Sequence, residues 1–224
     1  YISDNVVNNY ANYLKEKNTL YYTSDNNAPP FSFQDKYSGL YKGFILDYVS
    51  ALSIELNTEI EFVPRVWEDA IQSVISGDAD MIELYPSEDR KTNMEFTESI
   101  YDLRAIIMTR NNQQEIRHVM DLKGLKVAIE AGDYANEYIK NIIPDIEIIN
   151  TTDYLEAVNK LLSNEVDAII GDEPILIYFT NNLSIEEQVN ILEEPLYEMD
   201  ICIGVNKAEA KLVSIVNKAI LDLK

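Results

Sequence analysis

The 224-residue chain is short of cysteine, histidine and basic residues, and each shortage closes off a class of chemistry. A single cysteine, Cys202, has no partner for an internal disulfide. A single histidine, His118, leaves no Cys/His group with metal-ligand spacing, so no metal and no cofactor are expected. Ser-His-Asp or Cys-His catalysis would have to pass through that one imidazole. It lies in the polar stretch NNQQEIRHVMDLKG and reads as an exposed bystander, so no catalytic residue is assigned. Positive charge is scarce too, with 18 basic against 39 acidic side chains and a formal net charge of -21 at pH 7. Such a surface repels phosphate backbones and anionic lipid, which argues against a nucleic-acid partner. No apolar run is long enough to span a bilayer.

What is present is a globular composition, 46% hydrophobic, in a length that suits one large domain or two lobes of about a hundred residues each. The chain opens on Tyr1 without an apolar leader, and reads as an excised or processed fragment. SDNVVNNYANYLKEKN spaces its apolar residues as a helix, with Ser3 or Asp4 as N-cap, and TLYYTSD alternates as a strand running into the breaker NNAPP. A hairpin turning near Ser38-Gly39, the helix FILDYVSALSIELN and the strand EIEFVP follow. EDAIQSVIS predicts a helix stopped by Gly77, and ADMIELY a short strand. The second half repeats the grammar: AIIMTR and LKVAIE as strands, DYANEYIKNII as a helix, DIEIIN, TDYLEAVNKLLSN and VDAIIGD as strand, helix and strand. Strands separated by helices of this length predict an α/β fold.

One internal echo supports two similar lobes. Aligning WEDAIQSVISGDADMI with YLEAVNKLLSNEVDAII sets Trp67 against Tyr154, Ser76 against Ser163 and Asp80 against Asp167. Two extended apolar stretches, AIIMT (105–109) and DICIGV (200–205), are the natural crossings between lobes. The division expected is 1–106 for lobe 1 with a leading helix over 3–17, 107–201 for lobe 2, and a return to lobe 1 over 202–224.

Several motifs in order carry a resemblance: APPFSF, YKGFILDYVSALSIELN, SGDADMI followed by SEDR and MEFTESIY, then DLKGLKVAIEAG and VDAIIGD. From Leu20 to Leu223 the chain resembles the type 2 periplasmic-binding-protein (Venus flytrap) domain of bacterial extracellular solute-binding proteins, family 3. The resemblance implies an α/β, two-lobed fold with two crossing hinge strands. The leading helix and the terminal helix VNKAEAKLVSIVNKAILDLK look more like sensor domains of membrane-bound signalling proteins than like free transport proteins.

The same resemblance implies a set of ligand-binding residues. SEDR matches the family's [ST]-x-x-R, so Ser87 and Arg90 would hold a ligand α-carboxylate, for which a guanidinium offers paired donors. A surface arginine paired with Glu88 or Asp89 is the plainer alternative. Asp172 matches the carboxylate that takes an α-ammonium from lobe 2, or else is an N-cap. Trp67 matches an aromatic packed on the ligand, and Asp25 and Ala28 other lobe 1 contacts. Glu83 and Tyr85 depart from the small or hydroxyl residues common there. Glu130, Ala131, Gly132, Asp133 and Tyr134 match a loop whose amides complete the carboxylate site; Glu83, Glu130 and Asp133 would otherwise be solvated acids.

The expected function is an extracytoplasmic sensor domain, tethered to the cytoplasmic membrane through segments outside this chain, that closes on a small amino-acid-like ligand and signals across the membrane. A dimer of the full-length protein is a further partner implied. A transporter-associated amino-acid-binding protein is the alternative, and a dehydratase-like enzyme on the same fold a more remote one.

Overall fold

The computed structural model describes residues 3–224. Helix α1 (Asp4–Lys17) carries Asp4 in its first turn and Lys15 and Lys17 in its last, each charge complementing the helix dipole. Asn18, at φ 64°, ends it. Strand β1 (Thr19–Tyr22) buries Leu20 and Tyr22 on alternate positions. Strands β2 (Asn27–Ala28), β3 (Ser32–Gln34) and β4 (Tyr41–Lys42) form a small antiparallel sheet whose turn uses Gly39 at φ 71°. Helix α2 (Phe44–Leu56) turns Ile45, Val49 and Leu52 inward, and β5 (Glu59–Phe62) returns parallel to β1. Helix α3 (Trp67–Ser76) buries Ala70, Ile71 and Val74, stops on a left-handed Gly77 and leads into β6 (Ile82–Leu84).

Strand β7 (Met94–Arg110) is followed by β8 (Lys126–Glu130), α4 (Ala135–Ile142), β9 (Glu147–Thr151) and α5 (Tyr154–Leu162). Then come β10 (Ala168–Asp172), α6 (Glu173–Asn182), β11 (Val189–Ile191), β12 (Tyr197–Asn206) and α7 (Ala210–Asp222). The main sheet runs β6-β12-β7-β10-β8-β9, with β11 also on β7. Strands β8, β9 and β10 pair in parallel, whereas β10, β11 and β12 each run antiparallel to β7. Parallel strands are covered on both faces, which is why KVAIE and VDAII read as continuous apolar runs.

Two apolar cores give the two lobes. Leu14, Leu20, Tyr22, Val49, Leu52, Met81, Val205 and Leu212 pack together in the first. In the second, Ile107, Val127, Ile129, Ile139 and Ile170 pack on one face of the sheet, and Met108, Ala128, Val158, Leu161 and Leu176 on the other.

The strand joining the lobes is longer than the sequence suggests, and its crossing lies earlier. Met94 to Ala105 of β7 run beside β12, whereas Ala105 to Thr109 already pair with β10. AIIMT is therefore part of the second lobe's sheet, and the crossing falls just upstream of Ala105. It is hidden in the sequence because β7 exchanges partners along its length, so inward and outward positions follow no single alternation. Of DICIGV, Cys202 and Gly204 already pair with β6.

Candidate ligand-binding site

Between the lobes lies a cavity of about 60 Å³, room for on the order of five ordered waters. Nine of the eleven residues assigned to a site from the sequence line it: Asp25, Trp67, Glu83, Tyr85, Arg90, Glu130, Asp133, Tyr134 and Asp172. Ser87 and Gly132 stand behind Arg90, beside an adjoining depression. Ala28 lines the cavity as well.

Arg90 opens a one-turn helix, Arg90–Thr92, after β6. Its backbone N–H donates to Ser87 Oγ at 3.2 Å, so Ser87 shapes the loop that presents it. The guanidinium donates from Nη1 to the Tyr85 carbonyl and from Nη2 to the Gly132 carbonyl, each at 2.9 Å. The first bond stays on its own lobe; the second crosses the cleft. Neither Glu88 nor Asp89 pairs with it; Glu88 takes Lys91 instead. Burial draws the guanidinium below its ordinary range, with the charge of Asp133 opposing.

Gly132, at φ 85°, fits where a side chain would not, because a Cβ there would lie 3.2 Å from Glu68 Cα at the head of α3. The loop meets Arg90 through its carbonyl. Two of the amides expected to face a carboxylate are spent: Ala131 N–H donates to Thr151 O at 2.8 Å and Asp133 N–H to Glu130 O at 3.1 Å. Helix α4 begins only at Ala135, with Asp133 Oδ1 accepting from the Ala135 N–H.

Asp172 ends β10 and stands at the N-cap position of α6, yet its side chain caps nothing. Its Oδ1 is buried with no hydrogen-bond partner. Burial, then the charge of Asp133, push its carboxyl well above the ordinary range, while Arg90 pulls it back. Tyr154 ties these acids together: it accepts from the Asp172 N–H at 2.9 Å and donates to Asp133 Oδ2 at 3.3 Å.

Glu83 and Glu130 are not solvated, which corrects the alternative left open for them, and Asp133 is half-buried. Glu83 is 6% exposed and Glu130 4%. Glu83 accepts from Tyr22 OH at 2.7 Å and from Ser24 Oγ, and burial raises it from 4.5 to about 7. Glu130 keeps Oε2 without a donor, and burial and the Asp25 charge raise it well above the ordinary range. Burial likewise raises Asp133. Five carboxyls thus line one cavity with one guanidinium. They do not converge as a metal site, and no group of three metal-ligating side chains forms among the described residues.

Aromatic rings close the mouth. Tyr85 from one lobe meets Tyr134 from the other with centroids 4.5 Å apart, and Tyr197 stands edge-on to Tyr134 at 5.4 Å. Trp67 is the first residue of α3 and packs partly on Ala70 and Ile71. Tyr154, Ser24 and Tyr101, also in the wall, were not foreseen. Tyr154 carried one signal, its alignment with Trp67 in the internal echo.

Two α/β lobes joined by β7 and β12 around a charged cleft define a clamp of the periplasmic-binding-protein type. The sequence profile of the bacterial extracellular solute-binding proteins, family 3, matches residues 20–224, and the chain belongs to that family. It is similar to the L-cystine-binding protein TcyJ of Escherichia coli (strain K12), 24% identical over 217 residues, 95% of this chain and 80% of that protein. It is also similar to the sensor protein EvgS of Escherichia coli (strain K12), 23% identical over 216 residues, 93% of this chain and 17% of that protein. A solved histidine kinase sensor domain with similarity to periplasmic binding proteins superposes with a TM-score of 0.85 at 19% identity, covering 92% of this chain and 90% of that one. Among the described residues no helix is long and apolar enough to cross a membrane.

Proposed function

We propose that this chain is an extracytoplasmic sensor domain that closes on a small amino-acid-like ligand and passes the closure across a membrane to which the full-length protein is tethered. The observation that carries the ligand reading is the pairing of Arg90 with Asp172, whose buried Oδ1 has no donor, in one cavity. Arg90 takes the ligand carboxylate with its remaining N–H groups, Asp172 takes the ammonium, and Trp67, Tyr85 and Tyr134 enclose the side chain. Asp25, Glu83, Glu130 and Asp133 favour a neutral or cationic side chain over an acidic one. Ser87 and Gly132 hold Arg90 in place. The lobes divide just upstream of Ala105 and near residue 201 in this reading, and no reaction is assigned. The ligand's free energy difference between open and closed states sets the largest signal it can send.

The sensor role is supported by the likeness to EvgS and to the kinase sensor domain, and by the two end helices. Tyr13 OH and Lys17 Nζ of α1 both bond Glu209 at the head of α7, so both ends belong to one lobe and the other lobe is the part that moves. The likeness to TcyJ favours a transport-associated binding protein as the second reading. A thermal-shift and calorimetric screen of amino acids tests the ligand, with Arg90→Ala and Asp172→Asn expected to abolish binding. Tight binding that survives both substitutions overturns the site. Membrane fractionation of the full-length protein, with its output assayed with and without ligand, separates sensor from transport partner.

A further inference from the structure

Asp25 lies in the loop after β1, and Glu130 ends β8, so their carboxyls reach the cleft from different lobes. Each residue is 4% exposed, both line the same cavity, and the two carboxyls interact across it. An ionised carboxylate has acceptors only, so a hydrogen bond between the two requires a proton on one of the pair. The surroundings decide which one. Asp25 Oδ1 already accepts from the Asn27 N–H at 2.9 Å, which favours its ionised form. Glu130 receives no such help, and its Oε2 has no donor.

The groups facing Glu130 come from four elements: Asp25 from the β1 loop, Asp133 from its own loop, Asp172 from the end of β10 and the Tyr154 phenol from α5. Asp153, the N-cap of α5, bears on Asp25. Arg90 is the cation that lines the cavity, and it offsets Asp133 and Asp172. Burial and every acid around it therefore favour neutral Glu130.

We propose that Glu130 is protonated in the closed cleft and donates that proton to Asp25, making the carboxyl pair a proton-dependent latch between the lobes. In an open cleft both groups are solvated and ionised near neutral pH. Closure then takes up a proton. The carboxyl of Glu130 is raised in the closed state, so the latch is complete below its open-state value and is lost as pH rises through its closed-state value. Between those limits the closed-to-open ratio falls by up to about tenfold per pH unit for one proton. The inference rests on the proposed closure of the lobes.

The test measures spin-label distances between Glu55→Cys on α2 and Lys140→Cys on α4, in a Cys202→Ser background, from pH 5 to pH 9 without added ligand. In the parent protein the short-distance population should shrink as pH rises. E130Q donates an amide N–H to Asp25 without any proton uptake, and should keep the short distance to higher pH. D25N removes the Asp25 charge and donates an N–H to Glu130, which weakens the coupling of closure to proton uptake, so it should flatten the pH response and serves if E130Q misfolds; melting curves at pH 5 report folding. Glu83 titrates in the same range but is unchanged in all three proteins. A parent distance that does not respond to pH, or variants that follow the parent curve, overturns the latch. An amino-acid panel added at pH 9 separates the two readings. If an amino acid closes the cleft but no pH response exists, the latch falls and the ligand reading stands. If the pH response is present and no amino acid binds, the latch stands and the ligand reading falls.

Discussion

Replacing Arg90 with lysine keeps the charge and removes the fork. In the closed protein Nη1 holds Tyr85 O and Nη2 holds Gly132 O, both at 2.9 Å, one bond on each lobe. A lysine ammonium is a compact point charge on a flexible stem and cannot reproduce that planar pair. The bond to Gly132 is the one it is expected to lose, because Tyr85 belongs to the same loop and moves with residue 90. A hydrogen bond to a charged group contributes about 1.5–3 kcal/mol. Its loss lowers the closed-to-open ratio by roughly 10- to 150-fold. Apparent affinity scales with the fraction competent to bind, so in a ligand-free protein that is mostly open Kd rises by the same factor, before any weaker grip on the ligand's carboxylate.

The assay is calorimetric titration of the wild type and Arg90→Lys with whichever amino acid gives the largest thermal shift. Melting of the ligand-free variant should stay near that of the wild type, because Arg90 belongs to neither apolar core. An affinity within about threefold of the wild type would refute the reasoning, since it is far outside the range a lost charged bond allows.

A panel of amino acids should raise the melting temperature by mass action, with about 2.7 kcal/mol of stabilisation at a hundred times Kd; stabilisation by sugars or dicarboxylates alone would contradict the zwitterion reading. Gly171→Ala places a Cβ 2.4 Å from the Tyr154 ring, which must move and give up its bonds to Asp172 and Asp133. A loss of about 1–3 kcal/mol in urea unfolding is expected, and an unchanged midpoint would show the ring is free to yield. Glu83, raised from 4.5 to about 7, makes a contribution that is full below its unfolded value and is lost as pH rises through about 7. The linked loss is about 3 kcal/mol, and Glu83→Gln should flatten stability against pH across that window.

The α/β class and the order of elements were legible in the chain because each depends on local words, while the resemblance singled out Arg90 and Asp172, which both line one cavity. Gly77 stops α3 through its own left-handed backbone, and SEDR sets Ser87 three residues ahead of Arg90, where its Oγ meets the Arg90 N–H. The crossing was not legible. Seventeen residues of β7 serve two sheets' worth of partners, and Glu98, Asp102 and Arg104 interrupt its apolar pattern where the strand leaves one lobe for the other. Which amides of the loop at residues 130–134 are free was not legible either. Whether an amide faces a ligand or a neighbouring carbonyl is decided by Thr151 O, twenty residues away in sequence.

The acids of the cleft show most plainly what sequence leaves out. In a chain of net charge -21, Glu83, Glu130 and Asp133 resemble any other member of the acidic majority. An exposed carboxylate interacts weakly with its neighbours because water and salt screen it. Enclosing five such groups between two lobes with one guanidinium removes the screening, and burial raises every one of them. The closed cleft therefore needs positive charge from outside, as protons or as the ammonium of a ligand. An ammonium bound at Asp172 supplies it where the unpartnered Oδ1 stands, and Glu130 supplies it by keeping its proton. Ligand and proton then act in the same direction on the same hinge, so ligand affinity should weaken as pH rises. Calorimetric titrations repeated in buffers of differing ionisation enthalpy should show net proton uptake on binding, and E130Q should reduce that uptake by about one proton. Identical uptake in the two proteins would place the proton elsewhere.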